Sequence, residues 1–257
     1  MNRSFIRGSK NSASQGMDRK LISVIGIGQG VGTTTVATTL AFCFAEKGKR
    51  VTFLEGTKGS RADNLLYSQV AMDQRFASRS FTDFYGIAAK GESLLVKDNF
   101  EEGINWILMT PESRQDRVFL DEAQRNRLLR RGSSEVTILD IADNTGWEES
   151  LIDSDFIIAV VDPLPSKMIT NVDSFRKVRK LESRGYRVIW VVNKYNKGVS
   201  RHQVKDYLKS GNITWINNVA IEKIYAQQYA CRFHWGNEEI RSKILEICDE
   251  VSQGKSR

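Results

Sequence analysis

Between an apolar run at residues 21–25 and a helical pattern that begins at Val36 lies a segment made almost wholly of glycine and threonine. It reads Gly28-Gln29-Gly30-Val31-Gly32-Thr33-Thr34-Thr35. A strand, a glycine-rich turn and a helix, in that order, form the setting in which backbone N–H groups at a helix N-terminus cradle a phosphate. Glycine belongs there because a Cβ would hold the backbone away from the anion. The segment therefore constrains the fold on both sides of itself, demanding a strand before and a helix after. Plain tight-turn geometry is the competing explanation of the same residues.

The remaining chain supplies the layers that such a turn needs. Apolar runs of strand length recur at residues 51–54, 104–109, 136–141, 156–161, 188–192 and 213–216. Most are near-continuous stretches rich in Val and Ile, the pattern of strands covered on both faces in a parallel sheet. Helical periodicity fills the gaps. Val36, Leu40, Cys43 and Lys47 share one face, with Gly48 placed to end that helix. Residues 117–131 read as a helix stopped at Gly132, and Met168, Val172, Phe175, Val178 and Leu181 as one apolar stripe before Gly185. Ile240, Ile244, Ile247, Cys248 and Val251 form another stripe in residues 238–251. Strand–helix alternation predicts an α/β fold, a doubly wound and mostly parallel sheet flanked by helices. One such domain is expected over residues 20–252, between a flexible basic tail at 1–19 and a disordered tail at 253–257. Residues 64–100 read as short helices over one edge of the sheet.

Composition removes several alternatives. The 257 residues are 40% hydrophobic and 27% charged, as in soluble globular proteins. No stretch approaches the roughly eighteen apolar residues of a membrane span, and the first twenty residues lack the apolar centre of a secretion signal. Cys43, Cys231 and Cys248 are scattered and form no CxxC pair, which suits a reducing compartment. With only His202 and His234 added, no zinc or iron–sulfur constellation can be written. A cytoplasmic protein is the expectation. The net charge of +7 allows an acidic partner, such as nucleic acid or an anionic membrane surface. Its densest runs, residues 125–131 and 176–187, read as helix faces that are either solvated or in contact with DNA.

The loop departs from the strict phosphate-loop pattern GxxxxGK[ST]. Ile27 stands at the first glycine and Thr33 at the lysine, while Thr34 keeps the hydroxyl position that ligates Mg²⁺. The run from Ile25 to Ala37 resembles instead the deviant Walker A loop of the MinD/ParA family, KGGxGK[ST]T. On that pattern Gly28 falls at the signature lysine, Gln29 and Gly30 at the two glycines, and Val31 at the free position. Gly32 falls at the next glycine, Thr33 at the catalytic lysine, and Thr34 and Thr35 match. Phe53-Leu54-Glu55-Gly56-Thr57 resembles the strand ending in the family's first switch, with Glu55 as first acid and Thr57 in place of the second aspartate. Ile138-Leu139-Asp140-Ile141-Ala142 resembles the Walker B strand, although Ala142-Asp143-Asn144 does not reproduce the family's Pro-Ala-Gly. Val191-Val192-Asn193-Lys194-Tyr195-Asn196 resembles the adenine-side segment, and Asn196 excludes a guanine-type NKxD. Val161-Asp162-Pro163 fits the strand end before the family's long helix. The resemblance runs from about residue 19 to residue 251.

The resemblance implies a P-loop NTPase-like fold and a site for ATP or ADP with Mg²⁺. The nucleotide would lie on residues Gly28 to Thr35 and on Asn193, which contacts the base in the family. The metal would lie on Thr34 and Asp140; Asp140 is the Walker B candidate and Glu55 the first-switch candidate. Two lysines and one switch aspartate are missing together. Phosphoryl transfer relies on such cations, and losing one preorganised donor costs about 10²–10³ in rate, so hydrolysis should be close to abolished. Backbone amides and Thr34 could still hold nucleotide weakly, with Lys58 or Arg61 as replacement charges. The signature lysine reaches across a dimer in the family and Gly28 cannot, which puts ATP-driven dimerisation in doubt and leaves a nucleotide-independent homodimer open.

Three functions follow. A pseudo-ATPase scaffold would localise or help assemble a larger machine such as a pilus or secretion apparatus, as in the TadZ/CpaE type that the degenerate loop resembles. A DNA-partition or chromosome-associated ATP-binding protein would use the basic faces. A weakly active ATPase would have rebuilt its site. Membrane attachment through residues 238–251 is disfavoured by an acidic polar face, because interfacial helices carry Lys and Arg there, so any membrane location would come through partners. Phe233-His234-Trp235 and Trp147 are either surface platforms or core.

Overall fold

Each Val/Ile-rich run is a strand, and both of its faces are covered. The computed structural model describes residues 19–57, 65–74, 77–78, 80–131, 134–141, 146–233 and 237–254. In chain order the elements are β1 (Lys20–Gly26), α1 (Thr33–Glu46), β2 (Val51–Gly56), α2 (Leu65–Ala71), β3 (Met72–Gln74), β4 (Ala77–Ser78) and α3 (Phe84–Ala89). Then come β5 (Phe100–Glu101), β6 (Ile104–Ile107), α4 (Pro111–Gln115), α5 (Glu122–Leu129), β7 (Val136–Ile141) and a 3-10 segment (Trp147–Asp153). They are followed by β8 (Phe156–Val161), α6 (Pro165–Thr170), α7 (Val172–Ser183), β9 (Val188–Tyr195), α8 (Arg201–Leu208), β10 (Ile213–Asn217), α9 (Ile221–Tyr229) and α10 (Glu238–Gln253).

Eight strands form one sheet in the order β10-β9-β8-β1-β7-β2-β6-β5, parallel throughout except for the antiparallel edge pair β5–β6. The expected doubly wound, mostly parallel sheet is therefore the fold. Strand residues alternate between two cores. Ile22, Val24, Phe53, Ile138, Ile158 and Val191 pack under α1 and α10, while Ile25, Leu54, Leu139, Ile157 and Trp190 pack on the other side. That second side is covered by α3, α5, the 3-10 segment, α7 and α8. A strand so placed must be apolar at nearly every position, which is why these runs do not alternate with polar residues.

Several boundaries differ from expectation for local reasons. The stripe 168–181 is two helices, parted at Asn171 (φ −106°, ψ 28°), whose side-chain amide donates to Lys167 O at 2.7 Å. The helix expected over 117–131 shortens to α5, because Asp121 and Gln124 form a reciprocal capping box at its start. Residues 64–100 hold the expected short helices α2 and α3, together with a small β3–β4 ribbon. The face of residues 125–131 is basic and exposed only at Arg127 and Arg130. Arg125 is buried, donating to Leu120 O and to Glu149 at 2.9 Å, and Arg131 pairs with Asp98 and lies 4.0 Å over the Phe84 ring. On α7, by contrast, Arg176, Lys177, Lys180 and Arg184 are exposed. The apolar stripe of α10 is buried against α1. No helix among the described residues is long and apolar enough to cross a membrane.

Trp106 anchors one core, with ring centroids 5.0 Å from Phe53 and 5.1 Å from Phe233 and its indole N–H donating to Glu101 O. Phe233 is partly buried and packs against this core; His234 and Trp235 lie outside the described residues, as do residues 1–18 and 255–257 of the expected tails. Trp147 is core as well, 1% exposed. Trp106→Ala should remove about 3–5 kcal/mol of stability, the range for truncating a buried large aromatic, read from urea unfolding.

Candidate phosphate-binding site

The site grows from the end of β1. Ile27, at the position of the first glycine in the strict pattern, is still strand-like, donating its N–H to Val160 O at 2.8 Å. After it the backbone alternates in handedness. Gly28, Gly30 and Gly32 have φ of 104°, 67° and 94°, while Gln29 and Val31 between them keep negative φ. Alternation of this kind turns successive N–H groups toward one side and makes an anion-binding concavity. Among the described residues, no N–H from Gly28 to Thr35 has a protein acceptor. Gly32 caps α1 without a side-chain hydrogen bond, so the positive end of a 14-residue helix adds to the same concavity.

The side chains around the loop serve distinct purposes. Thr34 is exposed on one side and donates through Oγ1 to Asp140 Oδ2 at 2.7 Å. The register that pairs Val24 with Asp140 places the β7 carboxyl beside the loop. Burial pushes the Asp140 carboxyl up from 3.8 to about 7, helped by the nearby Glu55 charge and opposed by the Thr34 hydrogen bond. Thr33 does not reach toward the concavity; its hydroxyl lies back against Gly26 at the strand end.

Glu55 is engaged elsewhere. Its carboxylate pairs with Arg114 of α4 and accepts the Met109 N–H at 3.0 Å, while Tyr85 donates its hydroxyl to the Glu55 carbonyl. Burial raises the Glu55 carboxyl, and Arg114 opposes that rise. Thr57 offers its carbonyl to the Trp147 indole N–H at 3.1 Å and brings no carboxylate. Glu55 therefore ties β2 to α4, while its register beside Asp140 keeps its charge near the carboxyl that meets the loop.

Asn193 braces the loop from outside, donating Nδ2 to Val31 O at 2.8 Å and filling the space where a Cβ on Gly32 would stand. Its neighbour Lys194, at φ 59°, donates Nζ to Gly30 O and stands 3.3 Å from Asp162 Oδ2. Lys167 of α6 donates to Gln29 O at 3.2 Å, and Asn171 fills the space a Cβ on Gly28 would need. Lys167, Lys194, Asn171 and Arg114 had no part in the sequence-based site. Lys194 had a signal, its place beside Asn193, but only its left-handed backbone turns it to the loop. Lys58, Arg61 and residues 142–144 lie outside the described residues.

The donors fit Mg²⁺ only in part. A hydroxyl and a carboxylate oxygen 2.7 Å apart are hard ligands of the right kind. Among the described residues no group of three or more His, Cys, Asp or Glu is placed to hold a metal. Magnesium would therefore need phosphate and water oxygens to complete its shell, as is usual for that ion.

No protein-family model matches the sequence, and no curated protein matches it. Solved structures do match the fold. The chain superposes on MinD of Pyrococcus horikoshii OT3, complexed with Mg-ADP, with a TM-score of 0.69 at 15% identity, covering 91% of this chain and 96% of that one. A putative plasmid partition protein of Borrelia burgdorferi B31 bound to AMPPNP gives 0.69 at 17% identity, covering 91% and 99%. The Aquifex aeolicus MinC:MinD cell division complex gives 0.66 at 18%, covering 93% and 97%. Likeness at such identity establishes the fold, which is that of the MinD/ParA P-loop ATPases.

Because the folded protein holds the Asp140 proton up to about pH 7 and the unfolded chain releases it near 3.8, the folded state binds more protons between those values. Stability from this group is full below the lower value and is lost as pH rises through the upper one. Asp140→Asn removes that titration. Its thermal midpoint relative to wild type should rise between pH 4 and pH 7 and level off above; a difference independent of pH would overturn the assignment.

Proposed function

We propose that the chain is a degenerate MinD/ParA-like protein, a pseudo-ATPase scaffold that positions or helps assemble a larger machine such as a pilus or secretion apparatus, as the TadZ/CpaE type does. One observation carries the reading. The backbone cradle from Gly28 to Thr35 and the Thr34–Asp140 pair are present, while the loop itself holds no lysine and, among the described residues, the first-switch positions offer no free carboxylate. Thr33 lies on Gly26, Glu55 is bound to Arg114, and Thr57 is no acid.

In this reading the N–H groups of the loop hold the phosphates of ATP or ADP weakly. Thr34 and Asp140 would hold Mg²⁺, which offsets phosphate charge when bound. Asp140 must first lose its proton, so the metal competes with a proton for that oxygen. The Mg-ADP of one neighbour and the AMPPNP of another support nucleotide as the ligand, and the MinC partner of a third supports a role exercised through protein contacts. A homodimer here would not depend on a lysine at Gly28.

Calorimetric titration with ATP, ADP and Mg²⁺, followed alongside oligomeric state, tests the proposal. The expected results are weak or no binding, turnover at background and an oligomeric state indifferent to nucleotide. Any Mg²⁺-dependent gain in ADP affinity should fall about tenfold per pH unit below 7, as Asp140 takes up its proton. Steady-state ATP turnover above background, lost in Asp140→Ala, would instead establish an ATPase with a rebuilt site.

A second reading has its own support. Arg176 and Lys180 on α7 and Arg184 at its C-cap are exposed at four-residue spacing, a cationic stripe suited to a DNA backbone in a partition or chromosome-associated protein. Binding of duplex DNA would then weaken steeply with salt, and replacing the three with Ala should lower the slope by about 1 for each phosphate left unneutralised.

A further inference from the structure

The loop lacks both of the lysines its relatives' pattern would carry, yet two ammonium groups stand on its outer edge. Lys167 comes from α6 and donates to Gln29 O at 3.2 Å. Lys194 comes from the end of β9 and donates to the next carbonyl along, Gly30 O. These cations are unrelated in sequence position and belong to different elements, yet they meet consecutive peptides of one loop. Lys194 is further fixed by Asp162, which is 4% exposed and accepts the Leu164 N–H at 3.1 Å through its other oxygen. The Lys194 side chain is 42% exposed, so its charge is not sealed into the core.

We propose that Lys167 and Lys194 act together as an external replacement for the missing loop lysine, giving the cradle a preference for polyphosphate anions over single phosphates. The inference rests on the reading of the loop as an anion site but not on whether ATP is hydrolysed. Two effects act in the same direction. An ammonium bound to a peptide carbonyl withdraws electron density from that peptide and strengthens its N–H as a donor. Gln29 O and Gly30 O belong to the peptides whose N–H groups are those of Gly30 and Val31, inside the cradle. The Lys167 charge, and the part of the Lys194 charge that Asp162 does not offset, also attract a multiply charged anion within the Debye length, about 8–10 Å at physiological salt. A single phosphate gains mainly from the backbone N–H groups, whereas a chain of phosphates extends to the rim and gains from both. The lysines are positioning residues: they charge and orient the loop and take no part in bond making.

The test compares inorganic tripolyphosphate, ADP and inorganic phosphate by calorimetry at low and moderate salt, using the full chain. Lys167→Met removes one cation from an exposed helix surface. For the second, Lys194→Met removes the other cation, and Lys194→Met with Asp162→Asn checks that a carboxylate left without its partner is not what weakens binding. Each is expected to weaken tripolyphosphate and ADP several-fold while changing inorganic phosphate little, and the combined variant should lose most of the salt dependence of the wild type. Lys167→Arg and Lys194→Arg should retain wild-type affinity and salt dependence. Thermal unfolding of each variant separates loss of charge from loss of fold. Unchanged tripolyphosphate affinity in well-folded Met variants would overturn the inference and leave the scaffold reading standing. Absence of any polyphosphate binding by the wild type would overturn it as well, whereas ATP turnover above background would sink the scaffold reading and leave this one intact.

Discussion

Everything at the site depends on the parallel pairing of β1 with β7 on one side and β8 on the other. That register sets Val24 beside Asp140 and Gly26 beside Val160, so three strand ends finish together at one edge of the sheet. The loop that leaves β1 then has a buried carboxyl on each flank, Asp140 from β7 and Asp162 one residue beyond β8. A slip of one residue would turn every side chain of β1 to the opposite face. It would also separate Thr34 from Asp140. The apolar faces of β1, shared between two cores, make such a slip costly, and in this way packing far from the loop fixes its chemistry.

Backbone and side chains serve different purposes at this site. Backbone features persist: the alternating handedness of the glycines, the free N–H groups and the helix start. They require only glycine at a few positions and a strand and helix on either side. Several side chains around the loop serve structure. Glu55 holds α4 through Arg114, Asn193 holds Val31 O, and Asn171 seats α6 against Gly28. Removing one partner of a buried ion pair such as Glu55–Arg114 strongly destabilises the protein, so the pair ties the acid to stability.

Asp140 shows how burial and charge decide what a retained residue can do. Its oxygen sits where a metal ligand would be useful, yet the dry surroundings and the charge of Glu55 keep it protonated well into the neutral range. The hydroxyl of Thr34 offsets this only in part. The positive groups that would ordinarily lower such a carboxyl have been lost from the loop. The two lysines that remain nearby lie against its carbonyls, with Lys194 already shared with Asp162.

The sequence by itself determined the sheet, because strands covered on both faces must be apolar throughout and that pattern is local. It also located the glycine-rich turn between β1 and α1 and the departures of that turn from the strict phosphate-loop pattern, since glycine and lysine positions are read directly. Tertiary structure alone decided where the long-range charges went. Nothing in the order of residues places Arg114 on Glu55, and an arginine in a run such as 125–131 looks the same whether it is solvated or buried against Glu149. Lys167 and Lys194 are separated from the loop by well over a hundred residues, and their approach follows from the sheet order, the break at Asn171 and a left-handed residue at the end of β9. Hydrophobic periodicity records which face of an element is buried; it carries no record of which long polar side chain reaches across to meet another.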